Sequence, residues 1–397
     1  MNTPRTVVAC LLSLTLVAAP LRAGPLTPPA GPVVATHKTL TEIEPRIALS
    51  AINTPGDADS VFKITQAGSY YLTANLAGVV NQHGIEVTSA GVTIDLNGFE
   101  VVGPGSGAGG GFAGVFAASA AERLTVRDGT VRAWPGAGIE ANGMYTTVQG
   151  VSAVANGGNG MTLANRARVL QCLGSGNGGG GLTFGAWCVA EGCVASTNSG
   201  AGISGSNACA FAGCSSSSNQ LAGFSGGPAS TFDRCSADSN TGVGFAAAGA
   251  SNFSNCAALQ GGNDGFSISS GSSIIGCTAR SNVGDGIEIG SASLVLNNTC
   301  TANGVGTGDG AGVHVTGSDG RVEGNVCTGA DRGIDVDGTG NLIIRNTCAT
   351  NTLQWTIANG NHYGPIIDRS AIVSVSVNGA AAADTLGTTH PNANFTQ

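Results

Sequence analysis

Charge is scarce in this chain. Only 10% of its 397 residues are Asp, Glu, Lys or Arg, whereas a solvated disordered chain needs high charge and low hydrophobicity. Lysine occurs twice, as Lys38 and Lys63, and the formal net charge is −8. That leaves no basic patch to gather nucleic acid or an anionic lipid surface, and an acidic polysaccharide would meet a mostly neutral or acidic surface. Aromatics make up 5% of the residues, with Trp134, Trp187 and Trp355 the only tryptophans. Beyond the N-terminus no apolar run is long enough to cross a bilayer. Helices are disfavoured as well, because 65 residues are Gly, which destabilises helix interiors.

The N-terminus has the pattern of a secretory leader. Arg5 supplies positive charge, Val7 to Ala19 an apolar core, and Leu21-Arg22-Ala23 a cleavage site before Gly24. Residues 1–23 are therefore expected to be a signal peptide, and the protein to be secreted or held in the cell envelope with no membrane span once the leader is removed. Residues 24–36, rich in Pro and Gly, read as a linker. Residues 37–76 follow as an N-terminal cap and first strand, 77–355 as the repeat body, and 356–397 as a C-terminal cap and tail.

The repeat body announces itself through cysteine. Cys172, Cys193, Cys214, Cys235, Cys256 and Cys277 recur every 21 residues, and Cys300, Cys327 and Cys348 extend the series at 23, 27 and 21. A solenoid needs such a beat, because each repeat returns the same residue to the same place on the stack. A glycine column (Gly84, Gly114, Gly138, Gly160, Gly181 and onward to Gly333) precedes apolar residues at period two, the mark of short strands buried on one face. Phe211/Phe232/Phe253 and Phe224/Phe245/Phe266 fall in register as core ladders. Asn156, Asn177, Asn198, Asn219, Asn240 and Asn282 form another column, which the left-handed tolerance of Asn reads as a repeated tight turn, and whose side chains, if buried, could also hydrogen-bond up and down the stack. The expected fold is all-β, a parallel solenoid of about 12–14 coils capped at both ends, with equivalent residues ~4.8 Å apart. The eleven cysteines after the leader are expected as reduced, buried thiols, since side chains in a parallel register do not converge as a disulfide requires.

The 21-residue coil, the run Gly91-Val-Thr-Ile-Asp-Leu-Asn-Gly98 and Asn361-His-Tyr-Gly-Pro-Ile-Ile367 resemble right-handed parallel β-helix proteins of the pectin-lyase-like superfamily, over about residues 60 to 370. That resemblance implies the fold. It does not imply one activity, since the superfamily holds lyases, hydrolases, epimerases, adhesins and non-catalytic scaffolds. The Asp-Asp pair and Arg-x-Lys of polygalacturonase-like members are missing, and Asp95, in the one fragment similar to theirs, reads as structural.

One column carries candidate chemistry. Two residues after each reference glycine the side chain should face outward, giving Glu86, Phe116, Glu140, Thr162, Thr183, Ser204, Ser225, Ala246, Ser267, Glu288, His314 and Asp335. Its middle is bland; its last three rungs are Glu, His and Asp. Glu288, His314 and Asp335 are the candidate catalytic residues, with Asp285, Arg332 and Asp337 as candidate substrate-binding residues and Asp264 flanking them. Stacking places Glu288 and Asp335 ~9.6 Å apart by backbone, near the spacing of an inverting hydrolase. A histidine between two acids could instead be a general base or a metal ligand. No metal or cofactor is assigned. Two functions follow: a secreted scaffold or surface protein that binds glycan along one face, or a carbohydrate-active enzyme, lyase or hydrolase, whose site lies near the C-terminal coils. The partner in either case is an extracellular or cell-envelope polysaccharide.

Overall fold

The computed structural model describes residues 44–306, 308–369 and 388–397. The signal segment 1–23, the linker 24–36 and residues 37–43 of the N-terminal cap lie outside the described residues, as do residues 370–387 of the tail.

The 21-residue period becomes one turn of a parallel β-solenoid. In a typical coil, Leu182–Phe184 lies in a front sheet, and Val189–Glu191 and Val194–Ser196 lie in a back sheet that wraps the other sides. Each strand pairs in parallel with its equivalent one coil on, as Leu182 does with Ile203 and Ala190 with Phe211. The front sheet stacks fourteen strands, from Ser60–Ile64 to Leu353–Ile357, and the back sheet twenty-eight. Among the described residues there is no helix. Parallel pairing begins before residue 77, with Ser60–Ile64 on His83–Val87. It continues past 355, where His362–Tyr363 pairs with Leu342–Ile343 and Asn394–Thr396 returns to Ile366–Asp368.

The reference glycines are required by contact. A Cβ on Gly160, Gly181 or Gly265 would sit 2.5–2.6 Å from the carbonyl oxygen of the next coil's glycine, closer than side chains tolerate. Immediately after them the apolar residues enter the core. Phe224, Phe245 and Phe266 stack with centroids 4.8 Å apart, and Phe232 lies 4.9 Å from Phe211 and 4.5 Å from Phe253. The two ladders meet edge to face at 5.8–6.4 Å, the geometry that ring quadrupoles favour.

Three corners turn each coil, and all are built alike. A residue of positive φ bends the chain, and the next side chain turns inward to bond the neighbouring coil. In one coil the bending residues are Trp187 (φ 58), Gly192 (φ 61) and Thr197 (φ 55), followed by Cys188, Cys193 and Asn198. The asparagine column is therefore not itself left-handed, contrary to the sequence reading. The bend falls one residue earlier, at Ala155, Gly176, Thr197, Ser218, Ser239 and Ser281. The asparagines do the hydrogen bonding instead. Asn177 Oδ1 accepts the Asn156 N–H at 3.0 Å and Asn198 Oδ1 accepts the Asn177 N–H at 3.0 Å, while each Nδ2 donates to a backbone carbonyl. Buried corner N–H groups have no sheet partner, so a side-chain acceptor offsets a cost that would otherwise recur at every coil.

The cysteine series also divides. The six cysteines from Cys172 to Cys277 occupy one corner column, which continues as Asn298, Asn325 and Asn346: the Cys277 N–H donates to Asn298 Oδ1 at 2.8 Å, and the Asn298 N–H to Asn325 Oδ1 at 2.9 Å. Cys300 instead pairs with Ala279 inside a back strand and is followed there by Cys327 and Cys348. The 23-residue interval is one coil plus a two-residue step from corner to strand. Cys188 and Cys209 form a third column at the corner that follows the front strand. All eleven are buried and free. Burial pushes the Cys172 thiol up to about 11, so it stays protonated and packs as a small hydrophobe.

Candidate functional site

The front-sheet column has the register read from the sequence. Phe116 pairs with Glu140, Ser267 with Glu288, Glu288 with His314 and His314 with Asp335. A second column runs beside it, one residue before each reference glycine, where Asp264 and Asp285 sit on adjacent coils. Their carboxylates cap the backbone of the next coil: Asp264 Oδ1 accepts the Asp285 N–H at 2.8 Å, and Asp285 Oδ1 accepts the Ala311 N–H at 2.6 Å. The following coil is longer, with 26 residues from Gly286 to Gly312 in place of 21. Its extra residues bring Asp309 and Gly310 to the rim.

Together these elements enclose an open groove of about 430 Å³ lined by Asn263, Asp264, Asp285, Glu288, Asp309 and His314 among others. Asp264, Asp285 and Glu288 each offer an oxygen, and these lie within 4.8 Å of one another, near enough to share a proton or a cation. His314 is clamped between two carboxylates, with Nδ1 2.9 Å from Asp285 Oδ2 and Nε2 3.1 Å from Asp337 Oδ2. Arg332 reaches Asp309 at 2.7 Å and also grips Asp335. A further acidic triple at the other end of the sheet, Asp57, Asp59 and Glu86, is bridged by Lys63, whose Nζ lies 2.6 Å from Asp57 and 2.9 Å from Glu86.

Of the six residues singled out in the sequence, Glu288, His314 and Asp285 meet in the groove. Asp337 touches His314 from its exposed side. Asp335 stands at the outward register position and brings an oxygen within 4.8 Å of His314 and Asp337, yet it is fully buried under Arg332. The polar cluster therefore centres on Asp264, Asp285, Glu288 and His314. Asp264 was legible as a flanking residue only, although its 21-residue spacing from Asp285 marks the two as adjacent rungs. Asp309 carried no periodic signal, because it belongs to the longer coil.

The electrostatics separate the groups. Burial, reinforced by the neighbouring Asp285 and Glu288 charges, raises the Asp264 carboxyl from 3.8 to about 6. The Asp285 carboxylate holds His314 up from 6.5 to about 9 against its own burial, with Asp337 adding to the effect. Both shifts give stability the same sign. A histidine raised on folding stabilises fully below 6.5 and loses that contribution as pH climbs through 9. A carboxyl raised on folding binds its proton more tightly in the native state, so stability also falls as pH rises from about 4 to 6. The thermal midpoint is therefore expected to decline from pH 4 to 6 and again from 6.5 to 9, with the upper decline absent in His314→Ala. A flat profile in the wild type across both windows would contradict the clamp.

The family description "Right handed beta helix region" matches residues 113–258 and 183–326, which together span more than half of the chain. Comparison with curated proteins gives no match. Among solved structures, the chain is similar to the A-module of the Azotobacter vinelandii mannuronan C-5 epimerase AlgE6, at 14% identity over 75% of this chain and 89% of that one, with a TM-score of 0.45. The AlgE4 A-module of the same organism matches at 14% identity over 75% and 91%, with a TM-score of 0.41. The catalytic domain of a GH87 α-1,3-glucanase matches at 11% identity over 89% and 68%, with a TM-score of 0.40. These likenesses concern the fold alone. With its parallel coils, inward ladders and matched repeats, the chain belongs to the right-handed parallel β-helix family.

Proposed function

We propose that the groove is a glycan-processing site that cleaves a neutral polysaccharide in the secreted or cell-envelope space to which the leader sequence points. The observation that carries this reading is the pair formed by Asp264 and Glu288. Their nearest oxygens lie within 4.8 Å, closer to the roughly 5–5.5 Å of a retaining glycosidase than to the roughly 6.5–9.5 Å of an inverting one. Asp264, raised to about 6, holds a proton to give to a leaving oxygen. Glu288 is the carboxylate that attacks or steadies the sugar carbon. His314 is a held cation and not a base, because as imidazolium it donates from both ring nitrogens, to Asp285 and Asp337. It positions Asp285 and offsets part of the local negative charge. Four carboxyl groups line the groove, on Asp264, Asp285, Glu288 and Asp309, and their negative charge would repel a polyanion, which favours a neutral chain as substrate.

The test is a reducing-end assay against neutral and acidic polysaccharides. Glu288→Gln and Asp264→Asn are each expected to lower kcat at least ~100-fold. The wild-type rate should fall as pH rises past about 6, where Asp264 loses its proton, and the product should first appear with retained anomeric configuration. Turnover surviving both substitutions would move the chemistry elsewhere. The absence of turnover across the panel would favour the second reading, a non-catalytic scaffold. That reading draws support from the six bland rungs Thr162, Thr183, Ser204, Ser225, Ala246 and Ser267, a flat face with no acid or base.

A further inference from the structure

The corner that follows each front strand is bent by one residue of positive φ. Over most of the solenoid that residue is small: Gly91, Ala208, Ala229, Ala250, Gly271, Ala292, Gly340 and Gly360, with Asp319 (φ 61), between Ala292 and Gly340, as a separate exception. Four consecutive coils break the pattern with Arg123 (φ 56), Tyr145 (φ 63), Arg166 (φ 61) and Trp187 (φ 58). Their equivalence is set by the backbone, each N–H donating to the carbonyl just before the next rung: Arg123 to Met144, Tyr145 to Asn165, Arg166 to Ala186 and Trp187 to Asn207. A left-handed conformation strains any residue with a Cβ, Ala as well as Trp, so the bend itself does not call for bulk, and Ala or Gly does the same structural work elsewhere. The large side chains at these four corners contribute nothing to the core. Trp187 is 56% exposed and Tyr145 47%, in a chain with three tryptophans and four tyrosines.

These side chains are organised among themselves. The Arg166 guanidinium lies over the Tyr145 ring at 5.6 Å and over the Trp187 ring at 5.3 Å, and its Nη1 donates to Tyr145 Oη at 3.0 Å. The coil beyond Trp187 offers only Ala208 at this position, so one indole face has no large side chain beside it. On the adjoining back strand Arg168 borders a cleft of about 320 Å³ with Gln149, Gln171 and Glu191. Among the described residues neither Arg166 nor Arg168 has a carboxylate within ion-pair distance, whereas Arg123 has Glu122 at 3.8 Å.

We propose that this corner ladder is a docking site for an acidic polysaccharide, separate from the groove. Aromatic faces suit the apolar faces of sugar rings. Guanidinium groups bind carboxylate or sulfate through paired hydrogen bonds. Like rungs recur every second coil, ~9.6 Å apart, a spacing suited to a polymer with sparse charge. A nucleic acid strand, with a phosphate on every residue, would be repelled by a protein of net charge −8 that offers three arginines here. The ladder and the groove thus select opposite polymers: one anchors the protein to an anionic matrix, and the other works on a neutral chain.

The test is affinity electrophoresis of the full chain in gels containing hyaluronate, which carries a carboxylate on every second sugar, dextran or oligothymidylate. Retardation by hyaluronate that weakens with salt is expected, with little effect of dextran or oligothymidylate. Trp187→Ala and Arg166→Gln should each weaken it at least tenfold, with the thermal midpoint kept, since both side chains are outside the core and Ala is the residue at the Trp187 position in the next three coils. Glu288→Gln should leave it unchanged, so failure here and failure of the groove are read separately. Absence of retardation by hyaluronate, retardation indifferent to both ladder substitutions, or equal retardation by dextran or oligothymidylate would overturn the proposal.

Discussion

Phe232→Ala is expected to destabilise the protein by about 3–5 kcal/mol, the range for truncating a buried aromatic. Phe232 is fully buried and occupies the middle of its ladder, stacked on Phe211 and Phe253 and edge-on to Phe224 and Phe245. In a solenoid a cavity at one rung removes support from the rungs on both sides, and no sequence-distant segment can collapse to fill it. Thr183→Ala, on the outward face of the front sheet, should cost less than about 0.5 kcal/mol. Urea denaturation of the two variants measures the difference. Coincident midpoints would mean that the inward and outward faces have been exchanged.

Asn219→Ala should cost a comparable amount for a different reason. Asn219 Oδ1 accepts the buried Asn198 N–H at 3.0 Å and the Asn198 side-chain amide at 2.9 Å, while Nδ2 donates to Ala195 O at 3.3 Å, Ser216 Oγ at 3.0 Å and Asn240 Oδ1 at 2.9 Å. Truncation leaves the Asn198 N–H and the Ala195 carbonyl without these partners in a place water does not reach. Each orphaned buried group costs about 1–3 kcal/mol, so a loss of about 3–5 kcal/mol is expected. The column is interrupted at Gly261 and Ala330, whose backbone N–H groups still bond Asn282 Oδ1 and Asn351 Oδ1 at 2.9 Å each. A loss below about 1 kcal/mol in denaturant titration would show that the corner asparagines are dispensable and that strand pairing alone holds the turn.

The groove and the ladder stand on different footings. The groove depends on charge: burial raises the Asp264 carboxyl, with Asp285 and Glu288 adding to it, and the Asp285 carboxylate raises His314. The ladder depends on shape and exposure, and no titration enters it. Substitutions at Glu288 and at Trp187 therefore probe independent properties of one rod.

The 21-residue beat by itself determined which residues are neighbours. In a parallel stack residue i meets residue i+21, so the phenylalanine ladders and the asparagine column were legible before any coordinate, and alignment on the reference glycines carried the Glu288–His314–Asp335 column across the longer coil. Period-2 alternation determined which face of each strand is buried. The tertiary structure decided what periodicity cannot carry. The cysteine series looked continuous, but a two-residue step moved Cys300 from the corner column into a strand. The left-handed bend fell one residue before each asparagine, because the asparagine side chain is needed inside to accept a backbone N–H. Asp335 is outward in register and yet buried, because Arg332 folds over it. Arg123, Tyr145, Arg166 and Trp187 share no residue type that would mark them as a column. Register is a property of backbone spacing, which repeats along the chain. Burial, ion pairing and stacking depend on the direction and length of individual side chains, and these do not repeat.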